Sequence, residues 1–440
     1  MQYLTNILFF LVLAVGIGYF IKNIRKVVRN IKLGHAVDAS DNKGVRWGNV
    51  FRIAMGQSKM VKRPIAGLLH IIVYVGFIVI NIEVLEIIID GLFGTHRIFS
   101  SLGVVYDYLI ATFEILALLV FIGVVLFWTR RNVRRLKRFW SSEMKGWPKN
   151  DGNFILYFEM VLMALFITMN AADLQLQNIG AAHYTEAGMF PVSQYVALLF
   201  DGLTESTLII IERSAWWLHI LGILIFLNYL YFSKHLHIML AFPNVYFGSL
   251  LPKGQFKNNE AVTSEVKMMM DPSVDPFAAP PEGAEVPAKF GASDVMDLTQ
   301  IHLLNAYTCT ECGRCTSECP ANQTGKKLSP RKIMMDTRDR LEEVGKNIDA
   351  NGAFKPDGKQ LLGDYISEEE LWACTTCNAC VEACPVSIDP LSIIMEMRQY
   401  LVMEQSAAPS ELNVIMTNIE NNGAPWPFNQ MDRLNWKNEN

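Results

Sequence analysis

No cysteine occurs in the first 308 residues of this 440-residue chain, and none follows Cys384. A disulfide framework suits small secreted domains, so confining all eight thiols to one short stretch of a long chain argues against it. No basic patch with interleaved aromatics is present, which removes nucleic acid from the partners. The first apolar stretch has no positive segment before it and a basic run after it, so it reads as an uncleaved signal anchor rather than a signal peptide. Paired broken apolar segments and an internal repeat, expected of a transporter, are also missing. What remains is uneven. The hydrophobic fraction of 51% and mean hydropathy of +0.21 are concentrated before about residue 240.

The cysteines form two runs of the same spacing, C-x2-C-x2-C-x3-C-P: Cys309, Cys312, Cys315 and Cys319 before Pro320, then Cys374, Cys377, Cys380 and Cys384 before Pro385. In the bacterial-ferredoxin pattern three thiolates of a run hold one 4Fe–4S cluster and the fourth reaches the other. The expected ligand sets are therefore Cys309, Cys312, Cys315 and Cys384 for one cluster, and Cys374, Cys377, Cys380 and Cys319 for the second. Two zinc sites at C-x2-C spacing are the competing reading. Reduced thiols and oxygen-sensitive clusters place this region in a reducing cytoplasm.

Five apolar stretches are long enough, or nearly so, to cross a bilayer, at about 20 residues each: 4–21, 65–89, 104–128, 154–172 and 215–232. Segment 195–211 is also apolar but is interrupted by Asp201, Gly202 and Glu205, and reads as interfacial, with a sixth span as the alternative. Lys and Arg crowd the loops between the first and second and between the third and fourth stretches, while the other two loops carry little beyond Arg97 and Arg213. The positive-inside rule then puts the N-terminus outside and the chain after the fifth span in the cytoplasm of a bacterial inner membrane.

Histidine in hydrocarbon is a functional-site hypothesis by default. His70 lies near the inner end of the second stretch, His219 near the outer end of the fifth, and His235 and His237 at its inner end. On one continuous helix His219 and His237 would share a face, about 27 Å apart along the axis. Depth pairs His70 with His237, and a bis-histidine haem b between them is the sharp reading; interfacial histidines satisfied by headgroups or carbonyls are the bland one. Glu83, Glu86, Glu114 and Glu159 lie in or beside the spans, either as proton carriers for a quinone or as groups paired to neighbouring helices.

The segment from Trp217 to Ile238, with His219, His235 and His237, resembles the last span of the di-haem membrane subunit of respiratory nitrate reductase. That family has five spans and an outward N-terminus, and the resemblance implies one haem on His70 and His237. Its second haem uses a residue matching His219 and a histidine where this chain has Ile80, so His219 lacks an obvious partner. Asn81 shares the face of His70 but is a poor iron ligand, Met169 is a remote candidate, and a second haem on His219 stays open beside the inner one.

Residues 251 to about 292 carry Pro252, Pro272, Pro276, Pro280, Pro281 and Pro287 and read as an extended linker. The division is 1–240 membrane domain, 241–293 linker, 294–405 ferredoxin and 406–440 a tail for partner docking. Residues 294–307 read as one short capped helix on which His302 is a surface residue, and 330–345 and 390–405 as amphipathic helices. The expected fold class is all-α: a five-helix transmembrane haem b bundle followed by an α-helical di-cluster ferredoxin.

The runs Cys309-Thr-Glu-Cys-Gly-Arg-Cys and Leu371-Trp-Ala-Cys-Thr-Thr-Cys-Asn-Ala-Cys closely resemble the di-cluster module of heterodisulfide-reductase-type proteins. In fused members a haem b domain, this ferredoxin and a catalytic domain with CCG motifs follow one another. The tail from Glu420 looks like the connector before that domain, and no CCG motif follows, so a separate CCG-type iron–sulfur subunit is expected. The function implied is electron transfer between a cytoplasmic partner (that subunit, or an electron-transfer flavoprotein or dehydrogenase) and membrane quinone. A membrane-anchored iron–sulfur protein for assembly or maturation of another metalloenzyme is the alternative.

Overall fold

The computed structural model describes residues 3–252, 254–273 and 289–438, so Pro276, Pro280, Pro281 and Pro287 of the expected linker lie outside the described residues. Among the described residues the regular structure is helical, with no strand. Five helices of the described residues are long and apolar enough to cross a membrane: Leu4–Ile31, Pro64–Phe93, Val104–Asn132, Trp147–Asn178 and Glu205–Phe232. Proline stands in the first turn of the second and fourth, where its missing N–H belongs to the unpaired groups anyway. Gly94, in the left-handed region at φ 71°, ends the second.

Successive helices from the second to the fifth pack side by side, and the first lies against the second and fifth. Their shared interior is apolar and aromatic, with Phe113, Phe166, Trp216 and Ile220 buried together. Leu8, Phe10, Val15, Ile78 and Ile225 face outward, as a lipid-facing surface requires.

The first helix is longer than a span. Its 28 residues reach about 42 Å, past a hydrocarbon core of about 30 Å. The overhanging end carries Lys26 and Arg29 onto Asp349 of the soluble half, and buried Asn30 donates to the Tyr307 hydroxyl at 2.9 Å. Membrane and soluble halves thus share one core, in which Phe20, Val27, Phe226 and Leu236 pack with Leu303, Ile333, Leu341 and Ile394.

The fifth helix departs from expectation at both ends. It begins at Glu205, so residues 205–211 belong to it, while 193–200 form two short helical turns of their own. Its α-helix stops at Tyr229, and Ser233 turns extended (φ −106°, ψ 150°) before a new helix starts at His237 and runs to Phe247. His219 and His237 therefore do not lie on one continuous helix face. Buried Asp151, at the start of the fourth helix, holds the break open. It accepts from the Tyr229 and Ser233 hydroxyls at 2.6 Å each and from the Lys234 N–H at 3.0 Å. A buried carboxylate with three donors replaces the backbone bonds the helix gives up.

In the soluble half the stretch expected as one helix is two pieces, Val295–Asp297 and Gln300–Thr308. His302 is buried, closing a capping box with Thr299, rather than lying on the surface. The helix Pro330–Asn351 buries Ile333, Met334, Leu341 and Val344 along one face, as its spacing dictates, and Pro390–Met403 buries Ile393, Ile394, Met397 and Leu401 against it. Arg340, fully buried, is held by Asp294 and Asp357 and ties the start of the module to its middle.

Candidate metal centres

The two cysteine runs fold as copies of one unit, 65 residues apart. In each, the residue before the second cysteine (Glu311, φ 54°; Thr376, φ 54°) and the residue after it (Gly313, φ 71°; Asn378, φ 59°) take left-handed backbone. A five-residue helix follows (Arg314–Glu318; Ala379–Ala383), and the fourth cysteine ends it. Two left-handed residues in one loop curl the backbone tightly around the second cysteine. The two short helices pack on each other, and that packing crosses the runs over. Cys384 comes within electrostatic reach of Cys309, Cys312 and Cys315, whereas Cys319 comes within reach of Cys374 and Cys380. A small cavity is lined by Cys309, Cys312, Cys315 and Cys384 together with Cys380.

All eight cysteines are free thiols. Burial pushes the Cys309 thiol up to about 12 and the Cys384 thiol up to about 11. Such groups are neutral at pH 7 and ionise only where positive charge offsets the loss of water. Arginines supply part of that offset, with Arg138 and Arg314 beside Cys312 and Arg398 beside Cys374. Among the described residues no three His, Cys, Asp or Glu side chains are grouped for a single metal ion. The two sets differ in access: Cys377 is exposed, while Cys309 is buried.

At the near end of the bundle the rings of His70 and His237 face each other with centroids 6.5 Å apart. A metal-bound imidazole nitrogen sits about 2 Å from the metal and the ring centroid about 1.1 Å further, so two rings on one metal have centroids about 6 Å apart. The Nδ1 atom of His237 meets the Lys234 carbonyl at 3.1 Å, which fixes the ring and leaves Nε2 as the nitrogen turned to other partners. Nδ1 of His70 is buried without a partner. His235 belongs to the same cluster, its ring edge-on to that of His237 with centroids 5.4 Å apart and its Nε2 3.8 Å from Glu159. His219 is buried elsewhere, with Nδ1 3.1 Å from the Leu162 carbonyl and its ring beside Phe166 rather than another histidine.

Thiol loops and histidines are joined by charged side chains that their spacing did not reveal. Arg314, inside the first run, donates to the Lys59 and Met60 carbonyls just before the second helix, at 3.2 and 3.3 Å. Glu311, between Cys309 and Cys312, is buried and pairs with Lys234, the residue whose carbonyl orients His237, and with Arg338 at 2.7 Å. Lys234 also donates to the Pro148 carbonyl at 2.6 Å. Arg331, with no exposed surface, holds Glu143 at 2.6 Å and the Arg138 carbonyl at 2.5 Å. Glu311 and Arg314 stood in view inside the C-x2-C loops, but Lys234, Lys59 and Met60 lie more than 70 residues away, and only folding identifies them as partners.

The four span carboxylates separate by their partners. Glu114 accepts from the Val192 and Ser193 N–H groups at 2.9 and 3.0 Å, and Glu86 accepts from the Phe99 N–H and the Tyr106 hydroxyl at 2.9 and 2.8 Å. Both pair to neighbouring segments. Glu159 stands by His235. Glu83 alone keeps a buried oxygen, Oε2, without a partner.

Residues 308–388 match the model of a 4Fe-4S dicluster domain. The chain is 30% identical, over 98% of its length, to a protein of Bacillus subtilis described as a probable iron-sulfur-binding oxidoreductase, FadF, and covers 61% of that protein. It is 26% identical over 92% of its length to the EtfAB:quinone oxidoreductase of Syntrophomonas wolfei, covering 55% of it. A probable membrane-anchored ferredoxin of Chromohalobacter salexigens is 33% identical over 34% of the chain and is covered over 24% of its own length. The chain thus spans a little over half the length of the first two of these relatives. No solved structure matches it. Its relatives are iron–sulfur oxidoreductases, and the chain itself carries a 4Fe–4S dicluster domain and, among its described residues, five apolar helices.

Proposed function

We propose that this chain is the electron-transfer part of a membrane-bound oxidoreductase, relaying electrons between a cytoplasmic partner and membrane quinone. Two 4Fe–4S clusters and a haem b, when bound, supply one-electron carriers that no side chain can replace. The residues present fit them. Cys309, Cys312, Cys315 and Cys384 hold one cluster, Cys374, Cys377, Cys380 and Cys319 the other, and His70 with His237 the haem.

One observation carries the reading: the first thiol loop and the segment bearing His237 are bolted together. The Glu311–Lys234 pair and the Arg314 contacts to Lys59 and Met60 keep the first thiol set against the end of the bundle where His70 and His237 meet. Partner access is set by exposure. Cys377 opens the second set to solvent, so that is where a CCG-type iron–sulfur subunit or an electron-transfer flavoprotein docks. Two relatives' descriptions support the reading: one is an iron-sulfur-binding oxidoreductase, and the other an EtfAB:quinone oxidoreductase.

Orientation follows from charge. The soluble half sits on the end of the bundle bearing the two basic loops, with Arg63 on Glu318 and Lys62 on Glu382. Those loops belong in the cytoplasm, which puts the N-terminus outside. His219, with a phenylalanine for its neighbour, carries no second haem in this reading.

The test is spectroscopic. Full-length protein purified in detergent should contain about eight iron atoms in clusters plus one haem, with a bis-histidine spectrum and two interacting 4Fe–4S signals on reduction. His70→Ala and His237→Ala should each abolish the haem spectrum and keep the cluster signals. Haem content unchanged in both variants would refute the ligand assignment, and zinc in place of iron would refute the clusters.

A further inference from the structure

At the end of the bundle away from the soluble half lies a 290 Å³ cavity that the relay's metal sites do not use. It opens where the first helix begins and the second ends, beside Thr5 and Gly94, and the loop bearing His96 and Arg97 covers part of it. Its walls are of two kinds. Phe9, Trp216 and Trp217 provide aromatic faces, with ring centroids 5.2 to 5.8 Å apart, and Met169 adds a polarisable thioether. The remainder is charged, and nearly all of that charge is already spent.

Arg97 is buried, with φ 51°, and reaches Asp173 at 2.5 Å, Asn170 at 3.0 Å and the Tyr106 hydroxyl at 3.1 Å. Asp173 also holds His96 at 3.3 Å, and Asp90 accepts from the Thr95 hydroxyl and the Arg97 and Ile98 N–H groups. Glu212 takes Arg213 and the Tyr184 hydroxyl. Glu86 is saturated by Tyr106 and Phe99. Glu83 is the exception. It lines the same cavity, is 3% exposed, and keeps Oε2 without a partner.

An uncommitted buried carboxyl costs several kcal/mol unless something bonds to it, so a group of this kind points to a ligand. Five carboxylates against two arginines and two histidines disfavour an anion. Aromatic walls favour a flat ring, and a lone carboxyl suits a neutral oxygen, since it donates to a carbonyl when protonated and accepts from a hydroxyl when ionised.

We infer that this cavity is the quinone headgroup site, with Glu83 bonding a ring oxygen and Trp216 and Trp217 flanking the ring. The inference rests on the quinone-linked function proposed above and adds to it the place and the binding residue. Glu83 lies 13 residues beyond His70 on one helix (83 − 70), about 20 Å along its axis, so the quinone binds at the face opposite the donor.

The probe is 2-heptyl-4-hydroxyquinoline N-oxide, a fluorescent quinone-site ligand, titrated into the full chain in detergent with its cofactors bound. Wild type should quench it saturably near one per chain. Glu83→Gln, which keeps the shape and removes the ionisable carboxyl, should weaken binding at least tenfold. Thr5→Trp, at the exposed mouth, should do the same without touching the core, which keeps the test valid if the first variant fails to fold. Iron and haem content should stay at wild-type levels in both. Wild-type binding left intact by both variants would overturn this site while leaving the quinone-linked function standing. No saturable binding to wild type, together with no reduction of its centres by a soluble quinol, would overturn the site and the function.

Discussion

Replacing Lys234 by Met should loosen the first thiol loop from the membrane bundle and leave His70 and His237 in place. The Lys234 ammonium is 8% exposed and serves Glu311 and the Pro148 carbonyl, while Glu311 is 2% exposed and shares itself between Lys234 and Arg338. Removing one partner of a buried ion pair costs about 3–5 kcal/mol, because the other charge stays buried and unpaired. Glu311 keeps Arg338, bound to its other oxygen at 2.7 Å, so roughly half of that penalty applies, or about 2 kcal/mol. At about 1.4 kcal/mol per tenfold, the opening equilibrium of the loop should rise roughly thirtyfold.

Hydrogen exchange of peptides spanning Cys309 to Cys315, measured on full-length protein in detergent, reads that opening directly. The haem spectrum should persist, since His237 leans on the Lys234 backbone carbonyl, which the substitution leaves intact. Adding Glu311→Gln to Lys234→Met should recover part of the loss, because the uncompensated carboxylate is then gone. Exchange within threefold of wild type in Lys234→Met would show that the pair does not hold the two halves together.

The Arg331–Glu143 pair gives docking a pH dependence. Although burial alone would raise Glu143, the hydrogen bonds and charge of Arg331 bring it down to about 2, against 4.5 when free. A lowered folded pKa stabilises fully above the free value and is lost as pH falls through the folded one, so near-ultraviolet dichroism should be flat from pH 7 to 5 and decay below about 4.5. Glu143→Gln should remove that acid limb by weakening the contact at every pH; an unchanged profile would refute the assignment. The crossed thiol sets predict that Cys384→Ser perturbs the cluster of Cys309, Cys312 and Cys315 while Cys319→Ser perturbs the other, as resolved by electron paramagnetic resonance of the reduced protein. The reverse correspondence would mean that each run closes on itself.

Much of this fold is legible locally. A span announces itself because every residue over some twenty positions must be tolerable to lipid, and all five long helices contain the apolar stretches. Helix 330–351 is readable from Ile333, Met334, Leu341 and Val344, since the period of an amphipathic face is written in the chain. The fifth span misled because apolar periodicity continues smoothly through Tyr229 to His237, while the break there depends on Asp151, some 80 residues earlier. His302 misled for a related reason: its place on the surface or in the core depends on what packs over it.

The sequence by itself determined which residues are chemically able to hold metal, because spacing within a loop of ten residues limits where thiols can point. It also determined how many segments can cross a membrane and which loops carry the charge. Only the tertiary structure decided how these parts are joined. It set His70 against His237 across a broken helix and fastened the thiol loop to the bundle through Glu311 and Lys234, whereas the exchange of Cys319 and Cys384 was already legible in the spacing. It also left Glu83 without a partner in an outer cavity. Such facts depend on contacts between residues dozens to hundreds of positions apart, and no local pattern encodes which distant group will satisfy a buried charge.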